Sequence, residues 1–113
     1  MSKIGQLYTS GKWRVKEGME AEFIELWQDF ADWTAGSQSG AGEAVLLQNP
    51  EDPQSLLSFS PWDRVEDVDE WRSQPEFEAF VRRARELCEE LEPRNMVLVG
   101  HVDAASGAAD RGS

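Results

Sequence analysis

The side chains that could do chemistry in this chain are mostly aromatic. Its 113 residues include five Trp and five Phe but one Tyr, one His and one Cys. Indole and phenyl rings can line a pocket that stacks on a flat aromatic ligand. Aromatic residues at helical spacing are also commonly core, so a packed interior is the alternative. The candidate ligand-contacting residues are Trp27, Phe30, Phe59, Trp62 and Trp71.

A second candidate for chemistry lies near the end of the chain. His101 and Asp103 are two residues apart, so in an extended strand their side chains point the same way. A His oriented by an Asp can accept a proton near neutral pH. The alternative is a strand-end His at the rim of a dimer, and the lack of a nucleophile or third partner favours it. His101 is the candidate base.

The remaining reactive side chains give weaker signals. Arg72 could hold an anionic substrate group, whereas Arg82 and Arg83 have many acidic neighbours and are predicted to form surface ion pairs. Cys88 falls among apolar residues and is predicted to be a small buried hydrophobe. With one His and one Cys, no closed ligand set for a metal is predicted.

Charge and composition exclude several classes of function. The formal net charge is −11, which disfavours binding to nucleic acid or to anionic membrane. The sequence shows neither a signal peptide nor a long apolar run, and its single cysteine is typical of a reducing compartment. We therefore expect a cytoplasmic protein. Residues 1–103 are predicted to form one domain, and the Ala- and Gly-rich residues 104–113 a disordered tail.

Hydrophobic periodicity predicts the elements that position these residues. Residues 7–15 alternate, with Leu7, Thr9, Gly11, Trp13 and Val15 on one face. Small polar residues over 35–42 predict a flexible loop. The predicted elements are a strand over 7–15, a helix over 20–33, strands over 43–48 and 55–60, a short helix over 64–71, a long helix over 75–92 and a strand over 94–102.

The second helical region carries the strongest helix signals. Asp63 with Glu66, and Ser73 with Glu76, have the spacing of capping boxes at helix starts. Pro75 fits an opening helical turn because it has no N–H to leave unpaired. The long helix has one apolar stripe, formed by Phe77, Phe80, Val81, Ala84, Leu87, Cys88 and Leu91.

The order β-α-β-β-α-β predicts an α+β, ferredoxin-like fold with a four-stranded antiparallel sheet and both helices on one face. Strands over 43–48, 55–60 and 94–102 carry apolar residues on both faces. Helices bury only one face, so the other needs a partner. We expect a homodimer built sheet against sheet.

The chain also resembles a known family. The segments GKWRV, EGMEAEFIELWQDF, the hairpin around NPEDPQ, and SFSPWDRVEDVDEWRSQPEFEAF are similar to the antibiotic biosynthesis monooxygenase domain of the dimeric α/β-barrel superfamily. The resemblance spans residues 7–102, and its most specific part is Trp62, Trp71, Ser73, Pro75 and Phe77. It implies a ferredoxin-like homodimer with a pocket between sheet and helices.

The family resemblance also implies chemistry. Some members oxidise polycyclic phenols to quinones with O2 and no metal or flavin, and others degrade haem. Trp62 matches a pocket Trp of both classes, but the Asn and Tyr of quinone-forming members correspond to Ser58 and Val68. The first strand lacks the Asn of haem-degrading members, and Arg72 stands near the place of their His. Haem degradation is therefore disfavoured.

Two functions remain open at this stage. The first is a cofactor-independent monooxygenase acting on a flat phenolic or polyketide-like metabolite, with Trp62 as the pocket aromatic. The second is a non-catalytic dimeric module of the same fold that binds a small molecule or serves as an accessory subunit. The aromatic surplus favours the first, and the missing Asn and Tyr favour the second.

Overall fold

A computed structural model describes residues 4–102 of the chain. Asp103 and the predicted tail over 104–113 lie outside the described residues. The elements are β1 Leu7–Val15, α1 Glu20–Ser37, β2 Val45–Asn49, β3 Asp52–Trp62, α2 Val65–Arg72, α3 Pro75–Leu87 and β4 Cys88–Val97.

The four strands form one sheet in the order β2-β3-β1-β4, and every neighbouring pair is antiparallel. This confirms the ferredoxin-like α+β fold predicted from the sequence. The helices pack on one face of the sheet. Trp13, Val15 and Leu56 form the sheet side of the core, and Phe23 from α1 packs on them with Phe80, Ala84 and Leu87 from α3.

The first strand has the predicted alternation. Thr9, Gly11, Trp13 and Val15 are all buried, while Lys12 between them is exposed. Because side chains alternate across a strand, these four residues lie on the face under the helices. That face is the floor of the site described below.

The end of the long helix differs from the prediction. α3 ends at Leu87, and β4 begins at Cys88, so residues 88–92 are strand rather than helix. Val15 pairs with Cys88 and Arg14 with Glu90, which leaves Glu89 as the extra residue of a β-bulge. The bulge lets Cys88 and Leu91 both face the core although they are three residues apart. Their spacing imitates a helix, which is why periodicity misassigned them.

The end of β4 and the helix caps also differ from the predictions. β4 stops at Val97 rather than 102, and Val99 and Val102 are exposed. Neither capping box forms, because the residues that precede α2 and α3 are Arg64 and Gln74, and neither makes a side-chain capping hydrogen bond. The Ser73 hydroxyl instead donates to the carbonyl of Glu70.

The outer face of the sheet, away from the helices, carries apolar residues on its β2–β3 side. Leu47 pairs with Leu57, and Val45 pairs with Phe59. Leu47 is 53% exposed and Leu57 is 47% exposed, although both are large apolar side chains. At one end of the sheet, Met96 of β4 pairs with Tyr8 and is half exposed. No helix within residues 4–102 is long and apolar enough to cross a membrane.

Candidate functional site

A cavity of about 260 Å³ lies between the sheet and the helices. Its size is just below the 300–1,000 Å³ typical of small-molecule sites, so it suits a compact ligand. Among its lining residues, the sheet contributes Thr9, Trp13, Ser58 and Trp62, and the helices contribute five aromatic side chains. The helical rings that line it are Trp27, Phe30, Trp71, Phe77 and Phe80.

On the cavity floor, the indole of Trp13 lies across β1 and reaches the next strand. Its Nε1–H donates to Oγ of Ser58 over 3.0 Å. Gly11, paired with Ser58 across the two strands, makes room for this arrangement. A Cβ at Gly11 would lie 2.5 Å from Cζ2 of Trp13 and 2.8 Å from the Ser58 hydroxyl. The absent side chain therefore permits the contact.

Two of the other cavity tryptophans, Trp62 and Trp71, are held in the same manner. Nε1–H of Trp62 donates to Oγ1 of Thr9 over 3.0 Å, and Trp62 is 1% exposed. Nε1–H of Trp71 donates to Oγ1 of Thr34 over 3.0 Å, and that hydroxyl donates to the carbonyl of Phe30. A buried indole N–H needs an acceptor, and here each one fixes a ring orientation.

The helical rings form a continuous aromatic cluster around Phe30. Phe30 stacks on Phe80 with centroids 4.1 Å apart, and its ring centroid is 5.6 Å from that of Trp71. Trp71 contacts Trp62 at 4.9 Å and Phe77 at 4.8 Å. The rings touch one another and still leave the cavity open. They form its walls, so the pocket and the aromatic core are one structure.

The loop between α1 and β2 closes one side of the cavity. Ala41 forms a bridge with Trp62, the amide of Gly42 donates to the carbonyl of Pro61, and that of Asp63 donates to the carbonyl of Gly40. The loop predicted to be flexible is therefore anchored to the end of β3. Gly40, with φ of +81°, packs against the buried Asp67, where a Cβ would collide with the carboxylate.

Polar side chains occur at the rim of the cavity. Asp32 and Glu43 line it, and the amide of Gln28 donates to Oδ1 of Asp32 over 3.1 Å. Arg72, at the end of α2, is half-buried and also lines it. The floor residues Thr9 and Ser58 are neutral hydroxyls. The site therefore combines an uncharged interior with a charged entrance.

All six residues predicted to contact a ligand line the cavity: Trp27, Phe30, Phe59, Trp62, Trp71 and Arg72. Phe59 differs from the others because strand alternation directs its side chain to the outer face, where it is 37% exposed. His101 is exposed, lies four residues beyond the end of β4, and is not among the cavity-lining residues. The strand expected to align it with Asp103 ends at Val97, before His101.

Cys88 is buried, as predicted, but it lies at the start of β4 rather than on the long helix. Burial raises the pKa of its thiol from 9.0 to about 11, and nearby Lys16 opposes this shift weakly. It is not a cavity residue. Arg83, predicted to pair on the surface, bonds Glu22 and Glu86, and Arg82 lies 4.0 Å from Glu78. Across residues 4–102, no group of three or more His, Cys, Asp or Glu is placed to hold a metal.

Sequence reasoning missed the two hydroxyls of the floor and the role of Trp13 in the cavity lining. Thr9, Gly11 and Trp13 were recognised as one strand face, but the role of Thr9 as an indole acceptor was not. Ser58 was identified only as the residue that stands in place of the Asn of quinone-forming family members. The available signal was a hydroxyl residue at inward positions of two paired strands, where apolar residues are the norm.

Comparison with known proteins gives a family and a fold. A family model described as antibiotic biosynthesis monooxygenase matches residues 7–83, more than half of the chain. Among curated proteins, none matches the sequence significantly.

Many solved structures are similar to the chain. SnoaB from Streptomyces nogalater, a cofactor-independent oxygenase, is 19% identical, with a TM-score of 0.78 over 87% of this chain and 97% of SnoaB. A candidate antibiotic biosynthesis monooxygenase from Chloroflexus aurantiacus is 25% identical, with a TM-score of 0.69 over 87% of this chain and 97% of that one. A conserved protein from Methanosarcina mazei is 19% identical, with a TM-score of 0.75 over 83% of this chain and 93% of that one.

Proposed function

Because this chain belongs to the antibiotic biosynthesis monooxygenase family, we propose that it oxidises a flat phenolic or polyketide-like metabolite with O2 and without a cofactor. The reaction takes place in the cavity between sheet and helices. The similarity to SnoaB, a cofactor-independent oxygenase, supports this reaction class. The shape and polarity of the cavity support the class of substrate.

The observation that carries the proposal is the pair of hydroxyls on the cavity floor. Thr9 and Ser58 each accept one indole N–H. A hydroxyl has one proton to donate and two lone pairs, and neither hydroxyl donates that proton to another side chain within residues 4–102. Both protons are available to a ligand oxygen. A phenolate or quinone-type oxygen between the aromatic walls can accept a hydrogen bond from each of these donors, and these bonds stabilise the negative charge of the phenolate.

The oxidation requires few catalytic groups from the protein beyond this aromatic, hydroxyl-lined cavity. An electron-rich phenolate can give an electron to O2 directly, and the two radicals then combine at the ring carbon. In an anthrone, the CH2 group becomes a carbonyl. One oxygen atom of O2 stays on carbon, and the other leaves as water with the two hydrogens. The residues of the chain orient the ring, exclude water and stabilise the oxyanion through Thr9 and Ser58.

The reaction also needs a proton acceptor for the phenol. His101 is the base predicted from the sequence, and it is exposed beyond β4. Asp32 and Glu43 line the cavity entrance. A carboxylate at the entrance can take a proton from a bound phenol directly or through one water. Comparing His101→Gln, Asp32→Asn and Glu43→Gln identifies the acceptor by which one lowers kcat.

We also propose that the functional unit is a homodimer joined through the outer faces of two sheets. Proteins of this family are generally dimeric. The exposed Leu47, Leu57 and Met96 form an apolar surface that a second copy would cover. The same outer face carries Lys12, which makes no ion pair within residues 4–102 and can pair with a carboxylate of the second copy across a two-fold axis.

A second candidate function is a binding module without catalysis. Two observations favour it. The interior of the cavity holds no charged base, and Val68 stands where the family resemblance places a Tyr. Val68 is fully buried and does not line the cavity. Such a protein would bind the same ligands, protect them from water and consume no oxygen.

The test is a tryptophan fluorescence titration with a panel of hydroxylated anthrones and flavonoids, followed by oxygen uptake with each ligand that binds. The chain has five tryptophans, and hydrogen bonds hold three of them in the floor or walls of the cavity. Fluorescence quenching is therefore a sensitive probe of ligand binding. The key variant is Thr9→Val with Ser58→Ala, which removes both donors. Ser55→Ala, on the same strand but outside the cavity lining, is the control.

Saturable quenching with stoichiometric oxygen uptake, lowered at least tenfold in kcat by the double variant, supports the monooxygenase. Saturable quenching without oxygen uptake supports the binding module instead. If no phenolic ligand quenches the fluorescence, both proposals are wrong.

A further inference from the structure

A second surface depression, the arginine groove, adjoins the entrance of the cavity. It is an open groove of about 600 Å³ on the outward side of α3, closed at one end by the turn between α2 and α3. Its lining is polar and contains three guanidinium groups. The residues of the arginine groove are Arg72, Ser73, Gln74, Phe77, Glu78, Val81, Arg82 and Arg85.

The arginine groove and the aromatic cavity are continuous. Arg72, Phe77 and Val81 line both of them. Phe77 belongs to the aromatic cluster through its contact with Trp71, so one ring separates the apolar interior from the cationic groove. A ligand with its rings in the cavity could extend a substituent past Phe77 and Arg72 into the groove.

The arginines of this groove differ from the other described arginines in their ion pairing with carboxylates. Every described arginine outside it lies within 4.0 Å of a carboxylate, namely Arg14, Arg64, Arg83 and Arg94. Within residues 4–102, Arg72 and Arg85 have no such partner. The chain has 22 acidic residues against 11 basic ones, so surface arginines have an excess of carboxylates with which to pair.

The acidic content of the groove is also low. Glu78 is the one carboxylate in its lining, and Arg82 lies 4.0 Å from it. Three guanidinium groups against one carboxylate leave the groove cationic on a protein whose net charge is −11. An isolated cationic region on an acidic surface attracts anions locally, and guanidinium groups bind carboxylate and phosphate oxygens in a bidentate manner.

From the two unpaired guanidinium groups and the shared wall, we infer that the arginine groove is an anion subsite of the aromatic cavity. The ligand is then an aromatic compound with an anionic oxygen group, a carboxylate or a phosphate, on an edge that faces the solvent. Arg72 contacts this group at the entrance and Arg85 contacts it further out. This inference rests on the proposed function, because it assumes that aromatic rings occupy the cavity.

The test compares two probes that differ only in the substituent at C3, which is an anionic carboxylate in one and a neutral hydroxymethyl group in the other. They are 1,8-dihydroxyanthraquinone-3-carboxylic acid and the corresponding 3-hydroxymethyl alcohol, each titrated by tryptophan fluorescence. Arg72→Gln combined with Arg85→Gln removes the two unpaired cations. Arg83→Gln, which is on the same helix but bonds Glu22 and Glu86 outside the groove, is the matched control. Arg83 and Arg85 are exposed, Arg72 is half-buried, and none of the three belongs to the hydrophobic core, so far-UV circular dichroism should stay unchanged.

We expect the acid to bind about tenfold more tightly than the alcohol at low salt, which is about 1.4 kcal/mol, since partly exposed ion pairs contribute modestly. The double variant should remove this preference by lowering the affinity of the acid much more than that of the alcohol, and Arg83→Gln should keep it. Raising NaCl to about 0.5 M should weaken binding of the acid alone, because salt screens exposed charges.

The outcomes separate the two proposals. If acid and alcohol bind equally well, or if the double variant weakens both by the same factor, the anion subsite is wrong while the aromatic cavity stands. If neither probe binds, the proposed function fails and the subsite with it. Where the preference for the acid is confirmed, competition by acetate or by inorganic phosphate at equal concentration shows whether carboxylate or phosphate is the better anion.

Discussion

Nε1–H of Trp13 donates to Oγ of Ser58 over 3.0 Å, joining β1 to β3 on the floor of the cavity. The bond fixes a buried indole and orients a hydroxyl that faces the ligand space. One pair of residues therefore contributes to both the stability and the polarity of the site.

Replacing Ser58 by Ala should destabilise the protein by about 1–3 kcal/mol, because the indole N–H of Trp13 would lose its acceptor in a buried position. Urea unfolding, monitored by circular dichroism, measures the change. Ser55→Ala is the control, since Ser55 is on the same strand and its hydroxyl makes no hydrogen bond within residues 4–102. Equal stability of the two variants would contradict the assigned role of the bond.

Gly11→Ala tests the space under the same indole. The new Cβ would lie 2.5 Å from Cζ2 of Trp13, so the ring must move and the bond to Ser58 must lengthen. We expect a loss of about 1–3 kcal/mol, as for other overpacked sites, and a changed tryptophan emission spectrum. Gly36→Ala, in α1 with no atom within 4 Å of the new Cβ, should instead be neutral or stabilising by up to about 1 kcal/mol. An unchanged emission spectrum in Gly11→Ala would argue against the packing described.

Leu57→Lys should separate the proposed dimer. Leu57 is on a central strand, is 47% exposed and pairs with the exposed Leu47, so a lysine there places a charge in the centre of the apolar surface. Light scattering at micromolar concentration should give twice the chain mass for the wild type and the chain mass for the variant. Val65→Lys, at a similarly exposed apolar residue on α2, should leave the mass unchanged. A wild type of monomeric mass would refute the dimer.

Cys88 should make stability depend on pH above 9. Burial raises the pKa of its thiol from 9.0 to about 11. Between these values the unfolded chain releases the proton while the folded chain keeps it. The free energy of unfolding therefore has its full thiol contribution below pH 9 and loses it as the pH rises towards 11.

The comparison with Cys88→Ala isolates this effect from the other groups that titrate in the same range. The difference in stability between wild type and variant should be greatest at pH 8 and should shrink by pH 11, as measured by urea unfolding at several pH values. A difference that stays constant over this range would contradict the raised pKa.

The pattern of apolar and polar residues along the sequence predicted most of the fold. β1 has the predicted bounds, and α2 differs from its prediction by one residue at each end. These elements have a periodicity that only one secondary structure satisfies. The helix predicted over residues 88–92 was wrong because the bulge at Glu89 gives these strand residues a helical spacing. The unpaired residue is defined by the neighbouring strand, which local sequence does not contain.

The sequence by itself determined the order of the elements, the aromatic character of the interior, the acidity of the surface and the family. These properties depend on residue type and on spacing within one element. Only the tertiary structure decided which hydroxyl accepts which indole, that Gly11 lies under Trp13, and that the two unpaired arginines share a groove. Those relationships join β1 to β3 and α2 to α3. They depend on the register and packing of separate segments, which are set by the free energy of the whole fold rather than by any local pattern.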